Sequence, residues 1–487
     1  MRRREFFRIR QLRRVYDRQH NKFLINISYE TATKLTPRSL AVAEAFGLGV
    51  DEQRKFVICD NVEIRIGPKD IVLITGDSGS GKSVLLRALH KDLGEEAADM
   101  ASCRVAGQRP LIETVGQSVE EGLELLSRVG LNDAFLFLRS YDQLSDGQKY
   151  RYRIAKVMES TAQFWLMDEF ASTLDRDTAK IAAYNVQKHA RALGKGVIVA
   201  TTHQDLFEDL RPDVHVHKRF GSEIAVAYVS NGPPAECSLV KEMTIKPGVR
   251  DDWRRLESFH YRSRKLGATR KIFGMWRRHE LCGVIVYAYP PTVCLGRKLV
   301  LPKMTIQELN KNLCTISRVV VHPKYRSISL GAKLVRETLS EVGTPCVEMV
   351  AVMAKYNPFA EKAGMRRVIF QVPGKQVLKI SCELEAMRFN PKFFGSETYV
   401  LDHLQRLRPK QLACVKEAFI KNKYPRLQKE IGLDRHQPFG TEAGYIEGIN
   451  RADLHQMAKL VKVLGMLLQV KAYLFWQNPS SKESHTS

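Results

Sequence analysis

Residues 71–83 read IVLITGDSGSGKS, and VLLRAL follows at 84–89. The opening apolar run has the length and composition of a buried strand, and the closing one begins a helix. Between them stands Gly76-Asp77-Ser78-Gly79-Ser80-Gly81-Lys82-Ser83, a phosphate-binding loop in the setting it needs. Its glycines let the backbone wrap closely around an anion, and its N–H groups point inward at a helix N-terminus. Lys82 is placed to reach the β- and γ-phosphates of a nucleotide, and Ser83 to ligate Mg²⁺. The spacing predicts an α/β nucleotide-binding domain.

Four further elements follow in order. Leu144-Ser145-Asp146-Gly147-Gln148 runs into the helical stretch KYRYRIAKVM. FWLM then leads into Asp168-Glu169, and Ser172-Thr173-Leu174-Asp175 comes next. His203 closes the strand-like run GVIVATTH. Together with the phosphate loop, this series resembles the ABC ATPases. The resemblance implies that Asp168 holds the Mg²⁺ shell, that Glu169 polarises the attacking water as general base, and that His203 contacts the γ-phosphate. It also implies a head-to-tail homodimer, because one chain carries one set of motifs. Each site would join Lys82 and Glu169 of one copy to the signature Ser145, Asp146, Gly147 and Gln148 of the other. The Q-loop glutamine is assigned to Gln108 in preference to Gln117, and the adenine-stacking aromatic to Phe46 in preference to Phe56. The stretch from Gln108 to Ser145 is short for a subdomain that grips a transporter.

Composition narrows the setting. The 487 residues carry 77 Lys and Arg against 53 Asp and Glu, a net charge of +24 that attracts polyanions, nucleic acid first among them. No apolar run reaches transmembrane length, since VKVLGMLLQVKAYLFW is interrupted by Lys462 and Lys471. The nine cysteines form no C-x-x-C pair, a pattern of reduced, buried thiols and hence of a cytoplasmic protein. His215 and His217 alternate along VHVHK and share one face of a strand, a structural role in the absence of a third ligand.

The expected organisation is a basic N-terminal arm over 1–40, an ATPase domain over 41–230, a second α/β domain over 238–390 and a helical, basic extension over 391–487. The Pro/Gly cluster SNGPPAEC at 230–237 marks the boundary. Within the second domain, ISRVVVHPKYR at 316–326 runs into SISLGAKLVRETL. This resembles the acyl-CoA motif of GNAT-family acetyltransferases, a strand ending in V-x-P-x-Y-R before R-x-x-G-x-G/A. The resemblance implies that acetyl-CoA lies against Val319 and Val321 and on the loop Arg326, Ser327, Ile328, Ser329, Leu330, Gly331 and Ala332. Ser329 replaces a family glycine and is expected at negative φ. Downstream, YNPFAEKAGM resembles the family's helix and turn, with Asn357 and Phe359 in frame. The family's acid tyrosine is Ala360 here. Tyr356 substitutes if the helix already includes it, and Glu348 and His322 are the candidate bases. The pairing of an ABC ATPase with a GNAT domain resembles an arrangement found in archaeal and viral proteins.

The leading expectation is an ATP-driven acetyltransferase acting on a nucleic-acid base, in RNA (tRNA included) or DNA. Two alternatives stand beside it. One is a protein or polyamine acetyltransferase, the other a nucleic-acid- or ribosome-bound switch that binds CoA without transfer. KNKYPRLQK at 421–429 interleaves cations with an aromatic, as backbone contact plus stacking requires.

Overall fold

The stretch expected as a basic arm is a β-hairpin in the computed structural model, which describes residues 7–31, 36–47, 55–229, 232, 236–260, 266–294, 296–352, 354, 356–423 and 442–479. Strands β1 (Phe7–Asp17) and β2 (Lys22–Thr31) pair antiparallel, and β2 pairs with β3 (Lys55–Arg65) in a three-stranded sheet. The cause is visible in β2, where Phe23, Ile25 and Ile27 are wholly buried and alternate with the partly exposed Leu24 and Asn26. They pack with Ile64, Ile66, Val72 and Ile74, so the hairpin belongs to the ATPase core. The first six residues of the arm, most of the 230–237 boundary and KNKYPRLQK from 424 onward lie outside the described residues.

After α1 (Pro37–Ala45) and β3, a six-stranded sheet forms from β4 (Ile71–Thr75), β5 (Ala97–Asp99), β6 (Phe164–Met167), β7 (Gly196–Ala200), β8 (Val214–Lys218) and β9 (Ile224–Tyr228). Its order is β5-β6-β7-β4-β8-β9, parallel except for the last pair. β4 is buried along its length. Ile71 and Leu73 face one core, while Val72 and Ile74 face the other, as a central strand covered on both sides requires. The crossovers carry α2 (Lys82–Leu93), α3 (Val119–Arg128), α4 (Ala134–Leu138), α5 (Asp146–Glu159), α6 (Arg176–Leu193) and α7 (Phe207–Leu210). Because β7 lies between β6 and β4, the ends of three successive strands deliver the phosphate loop, the acid pair and His203 to one edge.

The rest of the chain supplies a seven-stranded sheet and the helices around it. In chain order these are β10 (Met243–Pro247), α8 (Arg250–Leu256), β11 (Thr269–Arg277), β12 (Glu280–Ala288), α9 (Ile306–Asn312), β13 (Leu313–Val321), α10 (Leu330–Thr338), β14 (Cys346–Ala351), α11 (Phe359–Lys362) and β15 (Arg366–Gln371). Helices α12 (Lys375–Ala386), α13 (Glu397–Gln405), α14 (Pro409–Lys421), α15 (Glu442–Arg451) and α16 (Leu454–Leu467) follow, and β16 (Lys471–Gln477) ends the fold. The order is β10-β11-β12-β13-β14-β16-β15. β13 and β14 pair in parallel from Leu313↔Cys346 to Thr315↔Glu348, whereas β14/β16 and β15/β16 are antiparallel. The C-terminal extension is therefore not helical throughout. Its last strand, KAYLFWQ, is aromatic and buried over Ala472–Phe475, and it inserts between β14 and β15.

The chain divides into two compact units. One comprises Met1–Gly267, Lys271–Val286 and Arg318–Glu337; the other Ala268–Arg270, Tyr287–Ser317 and Thr338–Ser487. The turn after β13 thus belongs with the ATPase. The second unit has its own helical core, including Ile380, Leu384, Phe419, Leu460 and Leu464. Among the described residues, no helix is long and apolar enough to cross a membrane.

Candidate active site

The phosphate loop is shaped by the space beneath it. Gly76, Gly79 and Gly81 have φ of 147°, 81° and 100°. A Cβ on Gly76 would stand 1.9 Å from Lys218 O, and one on Gly81 would stand 2.7 Å from Ile58 Cγ2. Both glycines are required by close approach as well as by φ. Lys218 itself is fully buried and donates its ammonium to Arg219 O at 2.6 Å and to Gly221 O, stapling the β8–β9 turn beneath the loop. Burial lowers its pKa, against the opposing pull of Cys59 and Glu223. Sequence reasoning missed Lys218, because a lysine ending a strand carries no local signal of what lies over it.

Lys82 Nζ donates to Gly76 O at 2.8 Å and Asp77 O at 2.7 Å, so its ammonium is held within the loop. Burial lowers its pKa, opposed by Asp168 and Asp77. Ser80 Oγ is buried without a hydrogen-bond partner among the described residues, a group that a bound phosphate can satisfy. Ser83 Oγ donates to Asp168 Oδ1 at 2.9 Å, and the Glu169 N–H donates to the same oxygen at 2.9 Å. A hydroxyl and a carboxylate facing each other beside a phosphate loop form a hard-oxygen donor pair that suits Mg²⁺. That ion takes one or two protein ligands and completes its shell with phosphate and water.

Glu169 and Ala171 both adopt positive φ, 49° and 62°, a conformation costing about 1–3 kcal/mol for each non-glycine residue. The neighbouring contacts hold it. Buried Phe170 donates its N–H to Ala200 O at 2.7 Å and accepts from Thr201 Oγ1 at 2.9 Å, while Tyr150 Oη accepts the Ala171 N–H at 2.8 Å. Glu169 is exposed at this tight turn. The Ser172 N–H then returns to Glu169 O at 3.0 Å, and Asp175 caps α6 by accepting the Thr178 N–H at 3.2 Å. At the neighbouring strand end, burial and then Arg176 lower the His203 pKa, favouring the neutral ring. His215 and His217 both hydrogen-bond Thr75 Oγ1, at 2.8 and 3.1 Å, in the structural role expected of them.

The signature residues begin α5, with the Ser145 N–H donating to Gln148 Oε1 at 3.1 Å. Ser145 and Asp146 are exposed. A Cβ on Gly147 would lie 3.2 Å from Leu174, so the signature packs on the turn that follows Glu169. Among the described residues, no hydrogen bond ties the signature to the phosphate loop of the same chain. Gln108 is exposed beside the segment leading to the signature, where the Asp142 N–H donates to Gly107 O at 3.2 Å. Gln117 lies near the start of α3, its N–H donating to Glu121 at 2.7 Å. Phe46 ends α1 and is 76% exposed, and Phe56 on β3 is 50% exposed.

The residues matched to acyl-CoA fall into both units. In the first, Val320 is buried while Val319 and Val321 are partly exposed, and Arg326–Ala332 leads into α10. Ser329 does not keep negative φ; it stands at 65° and Ser327 at 77°. Exposed Ser329 tolerates this where a buried, β-branched residue would not. Arg326 donates to Val321 O at 3.0 Å and Asn132 O at 3.0 Å, so its guanidinium braces the turn. Ile328 and Leu330 are buried, with Gly331 and Ala332 opening the helix. His322 accepts the Lys324 N–H at 3.3 Å, and burial lowers its pKa.

In the second unit, two expectations fail. Helix α11 starts at Phe359 behind Pro358 and does not include Tyr356, because the residue before a proline is steered away from helix. Tyr356 is therefore not one helical turn ahead of Ala360; it and Asn357 are exposed, and Phe359 is partly buried. Glu348, a candidate base, is wholly buried in an ion pair. Arg297 reaches it at 2.7 and 3.0 Å, Thr315 Oγ1 donates at 2.8 Å and Tyr473 Oη at 2.9 Å. A carboxylate so paired is a strut.

The strand order, the loop after β4 and the acid pair after β6 define a P-loop ATPase. Residues 59–172 match the family model described as ABC transporter. The chain is 31% identical over 167 residues to the cytochrome c biogenesis ATP-binding export protein CcmA of Gluconobacter oxydans (strain 621H), covering 31% of this chain and 76% of that protein. It is 30% identical over 176 residues to CcmA of Chelativorans sp. (strain BNC1), covering 31% and 85%. Among solved structures, the ATP-binding cassette MJ0796 in a dimeric post-hydrolysis state with ADP and Pi aligns over 37% of this chain and 94% of its own, at 19% identity and a TM-score of 0.31. The chain belongs to the ABC family through this domain and is an ATP-hydrolysing ATPase, for which ATP with Mg²⁺ is the expected substrate.

Proposed function

We propose that the chain couples ATP hydrolysis to acyl-CoA chemistry: an ABC ATPase acting as a head-to-tail homodimer, with a GNAT-like acetyltransferase that takes acetyl-CoA and modifies a nucleic-acid base. In the ATPase, Lys82 and the loop N–H groups hold the phosphates, and Ser83 and Asp168 hold Mg²⁺. When bound, that ion offsets charge on the phosphate oxygens. Glu169 orients and deprotonates the water, and His203 contacts the γ-phosphate. The exposed Ser145 and Asp146 are free to complete a partner's site.

The acyl-CoA reading rests on one observation, the β13–α10–β14 unit. It is a parallel pair joined through a helix, with the loop Arg326–Gly331 opening that helix at the carboxyl end of β13. Ligands bind at such strand ends, and a helix N-terminus supplies N–H donors to a pyrophosphate. The net charge of +24 supports a polyanionic substrate, RNA or DNA. Nucleosides digested from cells with and without the gene test it. The expected result is one acetylated nucleoside lost with the gene, and an unchanged profile counts against transfer to nucleic acid.

A second reading keeps CoA as a ligand without transfer, favoured by the burial of Glu348 and by the position of Tyr356 outside α11. Calorimetry with CoA, alongside a labelled acetyl-transfer assay, separates the two. Cytoplasmic location follows from the thiol pattern as a proposal, with Cys59, Cys237, Cys282, Cys314 and Cys346 buried outside any disulfide among the described residues, although Cys382 and Cys414 are exposed.

A further inference from the structure

We propose that Lys324 and Arg277, neither of them part of the ATPase motifs, are positioning residues for ATP hydrolysis that clamp the start of α6 through Asp177. Lys324 Nζ lies 2.6 Å from Asp177 Oδ2 and 3.6 Å from Asp175 Oδ1, and Arg277 Nη1 lies 2.9 Å from the same Asp177 oxygen. Arg277 is anchored in turn by Glu242 at 3.0 Å. These groups are largely sheltered, with 13% of the Arg277 and 20% of the Asp177 side chain exposed, so the pairing is screened less than a surface salt bridge. Burial alone would raise the Asp177 pKa; its bonds to Lys324 and Arg277 outweigh burial and lower it.

The clamp has a short, continuous route to the reacting centre. Asp175 caps α6, and the Leu174 N–H donates to Ala171 O at 3.2 Å. Ala171 is held by Tyr150 of the signature helix, and the Ser172 N–H returns to Glu169 O. Glu169 is thus bound through two interlocked turns to the residue that Lys324 touches. A cleft of about 520 Å³ brings Lys324, Asp175, Thr178 and the signature residue Gln148 onto one wall system. The same helix also grips the next turn of chain, since buried Asn185 donates to Ser327 Oγ at 2.8 Å. Helix α6 therefore contacts the 322–331 segment at two points two turns apart. If that segment is the acyl-CoA loop, as proposed above, its occupancy regulates hydrolysis through α6.

Steady-state ATPase kinetics on the full chain test the clamp. Lys324→Met and Asp177→Asn are expected to lower kcat by about tenfold, because small displacements of a catalytic group cost rate steeply, with KM for ATP nearly unchanged. Lys324→Arg should retain activity, and the exchange pairing Lys324→Asp with Asp177→Lys should recover part of it. A lowered Tm with kcat at the wild-type value in both single variants would overturn the clamp, showing a structural role only. For the regulatory clause, acetyl-CoA should change the wild-type kcat at least twofold by the same route, and Lys324→Met should abolish that change while still binding CoA by calorimetry. CoA that binds but leaves the wild-type kcat unmoved overturns the regulation. No CoA binding at all removes the acyl-CoA reading and the regulation, while the kcat comparison still decides the clamp.

Discussion

The loop after β4 and the loop after β13 stand in similar settings but are built from different residues. Each leaves a strand paired in parallel and opens a helix, so each can offer N–H groups to an anion. In the first, every residue of Gly76–Ser83 at positive φ is glycine; in the second, Ser327 and Ser329 take 77° and 65°. The difference lies in what stands nearby. Gly76 is pressed on the backbone of Lys218 at 1.9 Å from an added Cβ, whereas Ser329 is exposed. Positive φ alone taxes a side chain modestly, and close approach of backbone excludes it.

The sharpest way to break this comparison is Gly76→Ala. Its Cβ would strike the carbonyl of Lys218, a residue held by its pairing with Ile224 in the β8–β9 ladder, so the loop must open. ATPase turnover is expected to fall by more than about a hundredfold, since phosphate-positioning N–H groups each matter at that scale. Nucleotide-binding and turnover assays check it, and near-normal hydrolysis would show that the loop is looser than its glycines imply. Away from both loops, in the second unit, Glu348→Leu and Arg297→Leu each strand a buried charge, costing that unit about 3–5 kcal/mol, while the double substitution costs much less. Urea unfolding of the three variants decides. A stable Glu348→Leu protein that lacks acetyl transfer would return Glu348 to the role of base.

The same contrast explains what the sequence showed. The phosphate loop, Asp168-Glu169 and the signature were legible because close approach to a ligand forces particular residues at fixed spacing. The N-terminal hairpin was hidden by its arginines, although Phe23, Ile25 and Ile27 carried the alternation. Strand β16 was read with the helical extension because its partners, Cys346–Ala351 and Arg366–Gln371, lie about a hundred residues upstream, too far for a local pattern. Lys218, Arg297 and the Lys324–Asp177 pair left no trace for the same reason: a long-range ion pair or staple imposes no periodicity on its neighbours. Tyr356 was misplaced where a local rule was available, since Pro358 already forbade an earlier helix start.

Two gentler substitutions separate φ from contact. Gly79 has φ of 81°, but an added Cβ meets nothing nearer than the edge of Phe220 at 3.8 Å. Gly79→Ala should therefore carry only the left-handed penalty, about 1–2 kcal/mol in stability, and far more activity should survive than in Gly76→Ala. Parallel thermal unfolding and turnover measurements test the ranking, and equal losses in the two variants would refute the distinction between φ and contact.

The smallest effect should come from Ser329→Gly, and its sign is the informative part. Glycine relieves the left-handed backbone at 65° but enlarges the freedom of the unfolded chain, so the two effects nearly cancel. The expected outcome is a stability change within about 1 kcal/mol, on the stabilising side, because the left-handed penalty is the larger of the two. Ser329 forms no side-chain hydrogen bond among the described residues, so no contact is lost to offset that gain. Urea midpoints compared with wild type read it directly. A loss above that margin would mean that the Ser329 hydroxyl holds the loop, and that the second loop depends on its side chains as the first depends on their absence.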